Sequence, residues 1–128
     1  MNLLLDTHVL LWWLFDDPRL VDSCRKAIAD PDNPILVSTA SAWEISTKHR
    51  LGKLPEASDV ATDLLRYLRA ARFTPLPISM EHALAAGALP GPHRDPFDRM
   101  LIAQALLEGL RVATADPVFR EYGVSVLW

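Results

Sequence analysis

The sequence contains one cysteine, five glycines and no long apolar segment, and these shortages exclude several classes of protein. Cys24 has no second thiol to pair with, which excludes an intramolecular disulfide and a thiolate metal site, so we expect it to be a buried bystander. The longest apolar run covers residues 9–15, which is far too short to cross a membrane. No basic region with a cleavage site precedes it, and we therefore expect a cytoplasmic protein without a membrane partner.

The sequence also lacks a strong excess of one charge. Its 13 basic and 16 acidic residues give a net charge of −3. Domains that bind nucleic acid are usually basic, so this count taken alone argues against such a partner. If several acids form one metal cluster, however, bound cations would neutralise them and the remaining charge would no longer be negative. Net charge therefore leaves a nucleic-acid partner open.

The overall composition and length are typical of a single folded domain. The 128 residues are 50% hydrophobic and 23% charged, and they show no internal repeat or biased tract. This length allows one real hydrophobic core, and ten prolines favour firm element boundaries over flexible linkers. We predict a single domain over residues 1–128.

Short apolar runs alternate with segments of helical pattern along the whole chain. Continuous apolar runs predict strands at 2–5, 35–37, 111–114 and 124–127, with a poor, proline-broken edge strand at 73–78. Capping residues and periodicity predict helices at 7–15, 20–29, 40–50, 57–71, 79–88 and 96–107. The helix at 57–71 should be the longest amphipathic one, with an apolar side formed by Val60, Leu64, Leu65 and Leu68. This alternation predicts an α/β sandwich around a central, mainly parallel twisted sheet.

Several acidic residues follow the predicted strands or begin the neighbouring helices. Asp6 ends the first strand, Asp116 follows the fourth, and Glu44 lies one turn into the helix after the second. Asp95 and Asp98 begin the helix that leads into the fourth strand. Since sites in open parallel sheets form beyond the carboxyl ends of the strands, we predict that these side chains share one edge.

Each of these acids also has a purely structural interpretation. Three of the aspartates could only cap helices, two of them directly before a proline. Asp98 would favour the helix dipole in the first turn, and Glu44 could pair with Lys48 on a solvated face. For any single acid, the structural interpretation explains its position as well as a functional role does. The structural interpretations do not, however, predict that the acids lie close together.

A cluster of carboxylates needs cations, because neighbouring acids raise one another's pKa unless cations hold them ionised. An oxygen-only ligand set favours hard ions, Mg²⁺ or Mn²⁺, and such ions suit phosphoryl chemistry. The four histidines show no zinc spacing, and a glycine-rich phosphate loop is missing, so no nucleotide cofactor is expected. A dehalogenase-type phosphatase would need a second aspartate where His8 stands.

Three segments carry a resemblance to a known family. They are NLLLDTHVLLW, STASAWEISTKHRLGKL and HRDPFDRMLIAQALLEGLRVATADPVF. In this order and spacing they resemble a PIN domain and, more narrowly, the VapC toxins of bacterial type II toxin–antitoxin systems. The resemblance covers essentially the whole chain and implies a PIN-like three-layer α/β/α sandwich. It also implies an Mg²⁺- or Mn²⁺-dependent endoribonuclease that a VapB-type antitoxin inhibits.

The family's acidic residues fall on positions already singled out. The resemblance implies catalytic roles for Asp6, Glu44, Asp98 and Asp116. Of these, the three aspartates would be the metal ligands, while Glu44 would act through water or orient the substrate. The hydroxyl that often precedes the last acid falls on Thr114, and Asp95 would support the site or only cap its helix.

Residues around these acids have open roles. Arg99 could stabilise transition-state charge or form an outward salt bridge, and His93 could contact RNA or have no special role. A basic patch beyond Glu44 would suit phosphate positioning or a solvated helix end. Its members are Lys48, His49, Arg50 and Lys53.

Aromatic residues crowd the first predicted helix. One buried face of so short a helix cannot accommodate three large rings, those of Trp12, Trp13 and Phe15. Some of them could therefore form an interface, together with Trp128. The resemblance implies either a homodimer or an antitoxin helix as the occupant of that surface. The same helix motivates a second hypothesis, a catalytically silent PIN-fold module that binds an antitoxin-like protein or RNA.

Overall fold

The centre of the molecule is a five-stranded sheet in which all strands are parallel. The computed structural model describes residues 1–128, and its strands are β1 (Leu3–Leu5), β2 (Ile35–Ser38), β3 (Thr74–Leu76), β4 (Arg111–Ala113) and β5 (Val126–Leu127). The order across the sheet is β3-β2-β1-β4-β5, and Leu3 lies beside both Ile35 and Arg111. The first strand of the chain is thus the central strand of the sheet, and its three leucines are fully buried.

Eight helices connect and cover the strands. They are α1 (Thr7–Leu14), α2 (Asp22–Ala29), α3 (Thr39–Arg50), α4 (Ser58–Thr62), α5 (Leu64–Ala71), α6 (Met80–Ala88), α7 (Pro96–Glu108) and α8 (Val118–Glu121). A short 3₁₀ turn, Pro55–Ala57, precedes α4. None of the helices is both long and apolar enough to span a bilayer.

The two faces of β1 belong to two separate hydrophobic clusters. Leu3 and Leu5 pack with residues of α1, α2 and α5, whereas Leu4 packs with residues of α7 and α8. This division follows from the strand geometry, because successive side chains of a strand point to opposite faces of the sheet. Apolar runs without alternation are therefore what a sheet covered on both faces requires. The predicted three-layer α/β/α sandwich is confirmed.

The proline-interrupted segment forms the outer strand β3, as predicted. It pairs only with β2, and Pro75 stands opposite Val37 in the register. Thr74 and Pro75 are exposed. A proline lacks the N–H that a central strand must donate, so an edge is the position where this sequence is tolerated.

The helix predicted over residues 57–71 is wrong as one continuous element. The chain breaks at Asp63, whose backbone angles of φ −140° and ψ 47° lie outside the helical region and separate α4 from α5. Val60 and Leu68 both reach the core, but Leu65, which was assigned to the apolar side, is 53% exposed. Val60 and Leu68 thus enter the core from two separate short helices, a break that periodicity alone does not reveal. The longest helix is α7.

The last predicted strand is shorter than expected because part of it ends a helix. The N–H of Val124 donates to the carbonyl of Phe119, 3.1 Å away, so residue 124 closes the turn after α8. The strand begins only at Val126. The helix start expected at Asp116-Pro117 is present as α8.

Candidate active site

Asp6 lies at the carboxyl end of β1, where the central strand passes into α1. Its side chain is 2% exposed. The Oδ1 atom accepts the N–H of Thr7 at 2.7 Å, and Oδ2 accepts the hydroxyl of Thr114 at 2.6 Å, with His8 Nε2 at 3.3 Å. Burial raises the pKa of Asp6 above its ordinary value, and the nearby Glu44 adds to this, although His8 and the two hydrogen bonds oppose the shift. The group is a buried carboxylate whose surroundings only partly satisfy its charge.

The turn after β4 carries Asp116 and joins it to Asp6 through one hydroxyl group. Thr114 Oγ1 donates to Asp6 and accepts the N–H of Asp116 at 3.0 Å. The Oδ1 atom of Asp116 in turn accepts the N–H of Val118 at 3.0 Å, at the start of α8. Thr114 therefore fixes the turn of β4 against the end of β1.

Asp98 lies in the first turn of α7 and faces the other acids. Its side chain is 16% exposed, and Oδ2 lies 2.9 Å from Nε2 of His93. The pKa of Asp98 is raised to about 6. Burial is the largest cause, and the carboxylates of Asp95, Asp6 and Asp116 add to it, while the contact with His93 opposes it. The aspartates predicted from the sequence as metal ligands are therefore close enough for their charges to interact.

Asp95 caps the start of helix α7. Its Oδ1 atom accepts the N–H groups of Phe97 at 2.9 Å and Asp98 at 3.1 Å, which are unpaired donors of the first turn of α7. This is the helix cap considered above for Asp95, and it holds the backbone that carries Asp98.

Glu44 points inward from α3 and is 7% exposed. It pairs with Lys48 one turn later, so the expected ion pair is present, but not on a solvated face. Burial lowers the pKa of Lys48, but the contact with Glu44 and the nearby Asp95 and Asp98 outweigh it and raise the pKa overall. Lys48 thus lies between the acids of α3 and those of α7. The other members of the predicted basic patch form no ion pair.

The chemistry of this donor set fits a hard divalent cation. The acids at positions 6, 98 and 116 offer only oxygen atoms, and the mutual repulsion that raises the pKa of Asp98 is what a cation would relieve. The side chains are not arranged as a finished ligand shell, since no three histidine, cysteine or acidic side chains surround one point. The Oδ2 atoms of Asp6 and Asp98 contact Thr114 and His93 instead.

Sequence reasoning missed two contacts near Asp6. His8 was considered for a zinc spacing and as the position of a phosphatase aspartate, but not as a neighbour of Asp6, whose carboxylate its ring approaches. Thr7 Oγ1 donates to the hydroxyl of Ser41 at 2.9 Å, and both residues are buried. That bond joins the starts of α1 and α3. The polar residue near the start of each helix was the feature of the sequence from which this bond could have been predicted.

Both roles considered for Arg99 are wrong in this structure. Its guanidinium neither faces the acids nor pairs with one, but donates to the backbone carbonyls of Ala86 (3.0 Å), Leu89 (2.6 Å) and His93 (3.0 Å). These carbonyls belong to the end of α6 and the segment after it, which lack helical partners. Arg99 therefore fixes the segment that delivers His93 to Asp98.

The aromatic residues divide between packing and exposure. Trp13 packs against Phe73, and Trp12 lies between His8 and Trp128, with ring centroids 5.2 and 5.8 Å away. Phe15 is 41% exposed. The most exposed aromatic side chain is one that the sequence analysis did not single out, Trp43, at 60%.

Comparison with known proteins identifies the family. The model of the PIN domain matches residues 3–124. Ribonuclease VapC16 of Mycobacterium tuberculosis (strain ATCC 25618 / H37Rv) is 41% identical over 73 residues, which cover 54% of this chain but only 50% of that protein. Ribonuclease VapC22 of the same strain is 29% identical over 124 residues, covering 94% of this chain and 92% of that protein.

The same fold occurs in solved structures. VapBC2 from Rickettsia felis, bound to a DNA fragment from their promoter, contains a chain that matches with a TM-score of 0.72 at 17% identity, covering 99% of this chain and 98% of that chain. This likeness concerns the fold alone. The match of the family model over nearly the whole length shows that the chain belongs to the PIN domain family.

Proposed function

We propose that this chain is a divalent-metal-dependent endoribonuclease that acts as the toxin of a type II toxin–antitoxin module. The observation that carries the proposal is the grouping of three aspartates at one edge of the sheet. One Thr114 hydroxyl bridges Asp6 and Asp116, and the charges of both act on Asp98. The names of the two similar proteins, both ribonucleases, support the choice of RNA as the substrate.

The three aspartates would hold Mg²⁺ or Mn²⁺. When bound, the metal would supply an activated water and neutralise charge on the phosphate. Asp6 is held in place by Thr7 and Thr114, so it is the most firmly positioned of the ligands. Asp98 must release His93, and must lose any proton, before both of its oxygens are available.

Glu44 and Lys48 would position the substrate rather than hold the metal. Their ion pair holds the largely buried Glu44 against Lys48 and puts an ammonium group among the acids. In the reaction, the water oxygen bonds to phosphorus in line with the bond to the 3′ oxygen, which breaks. The 3′ oxygen takes up a proton, and the products carry a 5′-phosphate and a 3′-hydroxyl.

A VapB-type antitoxin and a second copy of the chain are the proposed protein partners. Solved structures that share this fold include VapBC complexes bound to DNA. The exposed Phe15 and Trp128, at 41% and 36%, are apolar surface that such a partner could cover.

The test is cleavage of purified RNA by the full chain with Mn²⁺ or Mg²⁺, followed by mapping of the ends. We expect 5′-phosphate ends and loss of cleavage with a chelator. Asp6→Asn should abolish cleavage, whereas Asp32→Asn, the same change at an exposed loop residue, should not. Because both variants are purified identically, equal cleavage by Asp6→Asn and the parent would reveal a contaminant or a wrong assignment.

A second candidate is a PIN-fold module that binds RNA or an antitoxin-like protein without turnover. It is favoured by the hydrogen bonds that already occupy Asp6 and Asp98, and by the absence of a finished ligand shell. If Mn²⁺ causes no thermal shift and RNA is bound but never cut, this candidate replaces the first.

A further inference from the structure

A groove of about 770 Å³ lies beside the candidate active site. We name it the loop groove. One wall is the segment of residues 89–94 between α6 and α7, and the other consists of Leu106, Val118, Glu121 and Tyr122. Its size and its mixture of apolar walls with a few polar groups are typical of sites for small ligands or parts of larger ones.

The loop groove is continuous with the acidic edge on two sides. His93 lines the groove and contacts Asp98, while Val118 lines it and donates its N–H to Asp116. For a chain molecule whose phosphate lay at these two acids, the groove would therefore be a neighbouring surface. The function proposed above supplies such a molecule, single-stranded RNA, and the inference rests on it.

The charges of the groove suit a nucleotide. Arg94 is exposed at its rim and has neither an ion-pair nor a hydrogen-bond partner within the chain, so its guanidinium is free to bind a phosphate. The leucines and Val118 provide apolar surface for a base, and Glu121 can accept from a base amino group. Single-stranded RNA is recognised in this way, through splayed bases held against side chains and a backbone held by cations.

Two features of the walls indicate a formed site. Arg99 fixes the 89–94 segment through the carbonyls of Leu89 and His93. The hydroxyl of Tyr122 is buried without a hydrogen-bond partner, close to Gly91, where a Cβ atom would come within 2.9 Å of the oxygen. A buried polar group with no partner is costly, and the Gly91 backbone that lies against this hydroxyl is part of the groove wall. We propose that the loop groove binds a nucleotide of the RNA substrate next to the cleaved phosphate.

The test uses two matched pairs of variants. Leu106 and Leu107 are neighbouring exposed leucines of α7, 46% and 53% exposed, but only Leu106 lines the groove. Leu106→Glu places a carboxylate in the groove, and Leu107→Glu places the same charge outside it. Arg94→Gln removes the rim cation, and Arg69→Gln makes the same change on α5, a helix that packs on the opposite face of the sheet.

Binding of a short labelled RNA of randomised sequence is measured with the Asp98→Asn form of each chain, so that cleavage is not required. We expect Leu106→Glu to weaken binding about 3- to 10-fold through repulsion of the phosphates. Arg94→Gln should weaken binding and reduce the slope of log affinity against log salt by about one. The two control variants should bind as Asp98→Asn does.

The outcomes separate this inference from the proposed function. If the parent cleaves RNA and both groove variants bind like their controls, the loop groove is not a nucleotide site although the nuclease assignment stands. If the parent never cleaves RNA but the groove variants weaken binding, the catalytic proposal fails and the groove stands. If Leu106→Glu alters only the oligomeric state in sedimentation, the groove contacts protein and the inference is wrong.

Discussion

Thr114 donates a 2.6 Å hydrogen bond to Oδ2 of Asp6 although 108 positions of sequence separate the two residues. The bond joins the carboxyl ends of β4 and β1, which are neighbouring strands. Both residues are almost completely buried, so the bond is sheltered from bulk solvent. The pair fixes the geometry of the edge where the acids lie.

Replacement of Thr114 by valine, which keeps the shape of the side chain, is the first prediction. We expect the free energy of unfolding to fall by about 1 to 3 kcal/mol, because the buried Asp6 carboxylate and the N–H of Asp116 lose their partner. Urea denaturation measures this. Thr62→Val removes an exposed hydroxyl that bonds within its own helix and should have a much smaller effect. Equal effects of the two changes would show that the Asp6 contact contributes nothing special.

The second prediction concerns the pH dependence of stability in metal-free protein. The pKa of Asp98 is raised from 3.8 to about 6, so between these values the folded state binds more protons than the unfolded state. The contribution of Asp98 to the free energy of unfolding therefore falls as the pH rises through this window, by at most about 3 kcal/mol. Asp98→Asn should remove that fall, so the variant gains stability over the parent at neutral pH.

The control for this titration is Asp32→Asn, an exposed change of the same charge. Denaturation curves at pH values below, within and above the window should run parallel for Asp32→Asn and the parent. A difference between Asp98→Asn and the parent that stays constant with pH would contradict the raised pKa.

Addition of metal is the third prediction. Mn²⁺ at about 100 times its dissociation constant should raise the free energy of unfolding by about 2.7 kcal/mol. Since binding requires ionised carboxylates, the gain should be larger above the pKa of Asp98 than below it. Thermal denaturation at two pH values measures the effect, and a chelator should reverse it. Asp6→Asn should lose most of the gain, whereas an unchanged gain would remove Asp6 from the ligand set.

The fourth prediction concerns Arg99. Arg99→Lys keeps the positive charge, but the lysine ammonium lacks the planar, forked guanidinium that donates to three or more carbonyls at once. We expect faster hydrogen exchange and faster proteolysis in residues 87–94, with a loss of about 1 to 3 kcal/mol in stability. Arg120→Lys, at an exposed arginine of α8, is the control. Unchanged exchange in residues 87–94 would show that the carbonyl contacts do not hold the segment.

The strands and the acidic edge were predictable because each depends on a local pattern. Leu3–Leu5 is a buried run that ends at Asp6, and a capping residue after an apolar run marks where a strand becomes a helix. Parallel topology then brings the ends of neighbouring strands together whatever their separation in sequence. The pairing of Thr114 with Asp6 is a direct result of that topology.

What the sequence did not reveal depends on which side chains meet in three dimensions. Asp63 interrupts a stretch with good helical periodicity, and Val60 and Leu68 enter the core from two separate helices. Arg99 follows Asp98 directly, so a catalytic role was reasonable, but its guanidinium reaches backward to carbonyls that no pattern marks. The same hydrogen bonds of Arg99 hold the segment that carries His93, so the contact between His93 and Asp98 depends on them.

The composition of β3 has a consequence for self-association. An outer strand normally offers a row of N–H groups to any extended chain, which is how sheets of different molecules join into aggregates. Here the outer strand has three residues. Its middle residue, Pro75, has no N–H to offer, and Pro77 lacks one just beyond the strand. A second copy would therefore find fewer donors for adding a strand at this side than a proline-free edge offers.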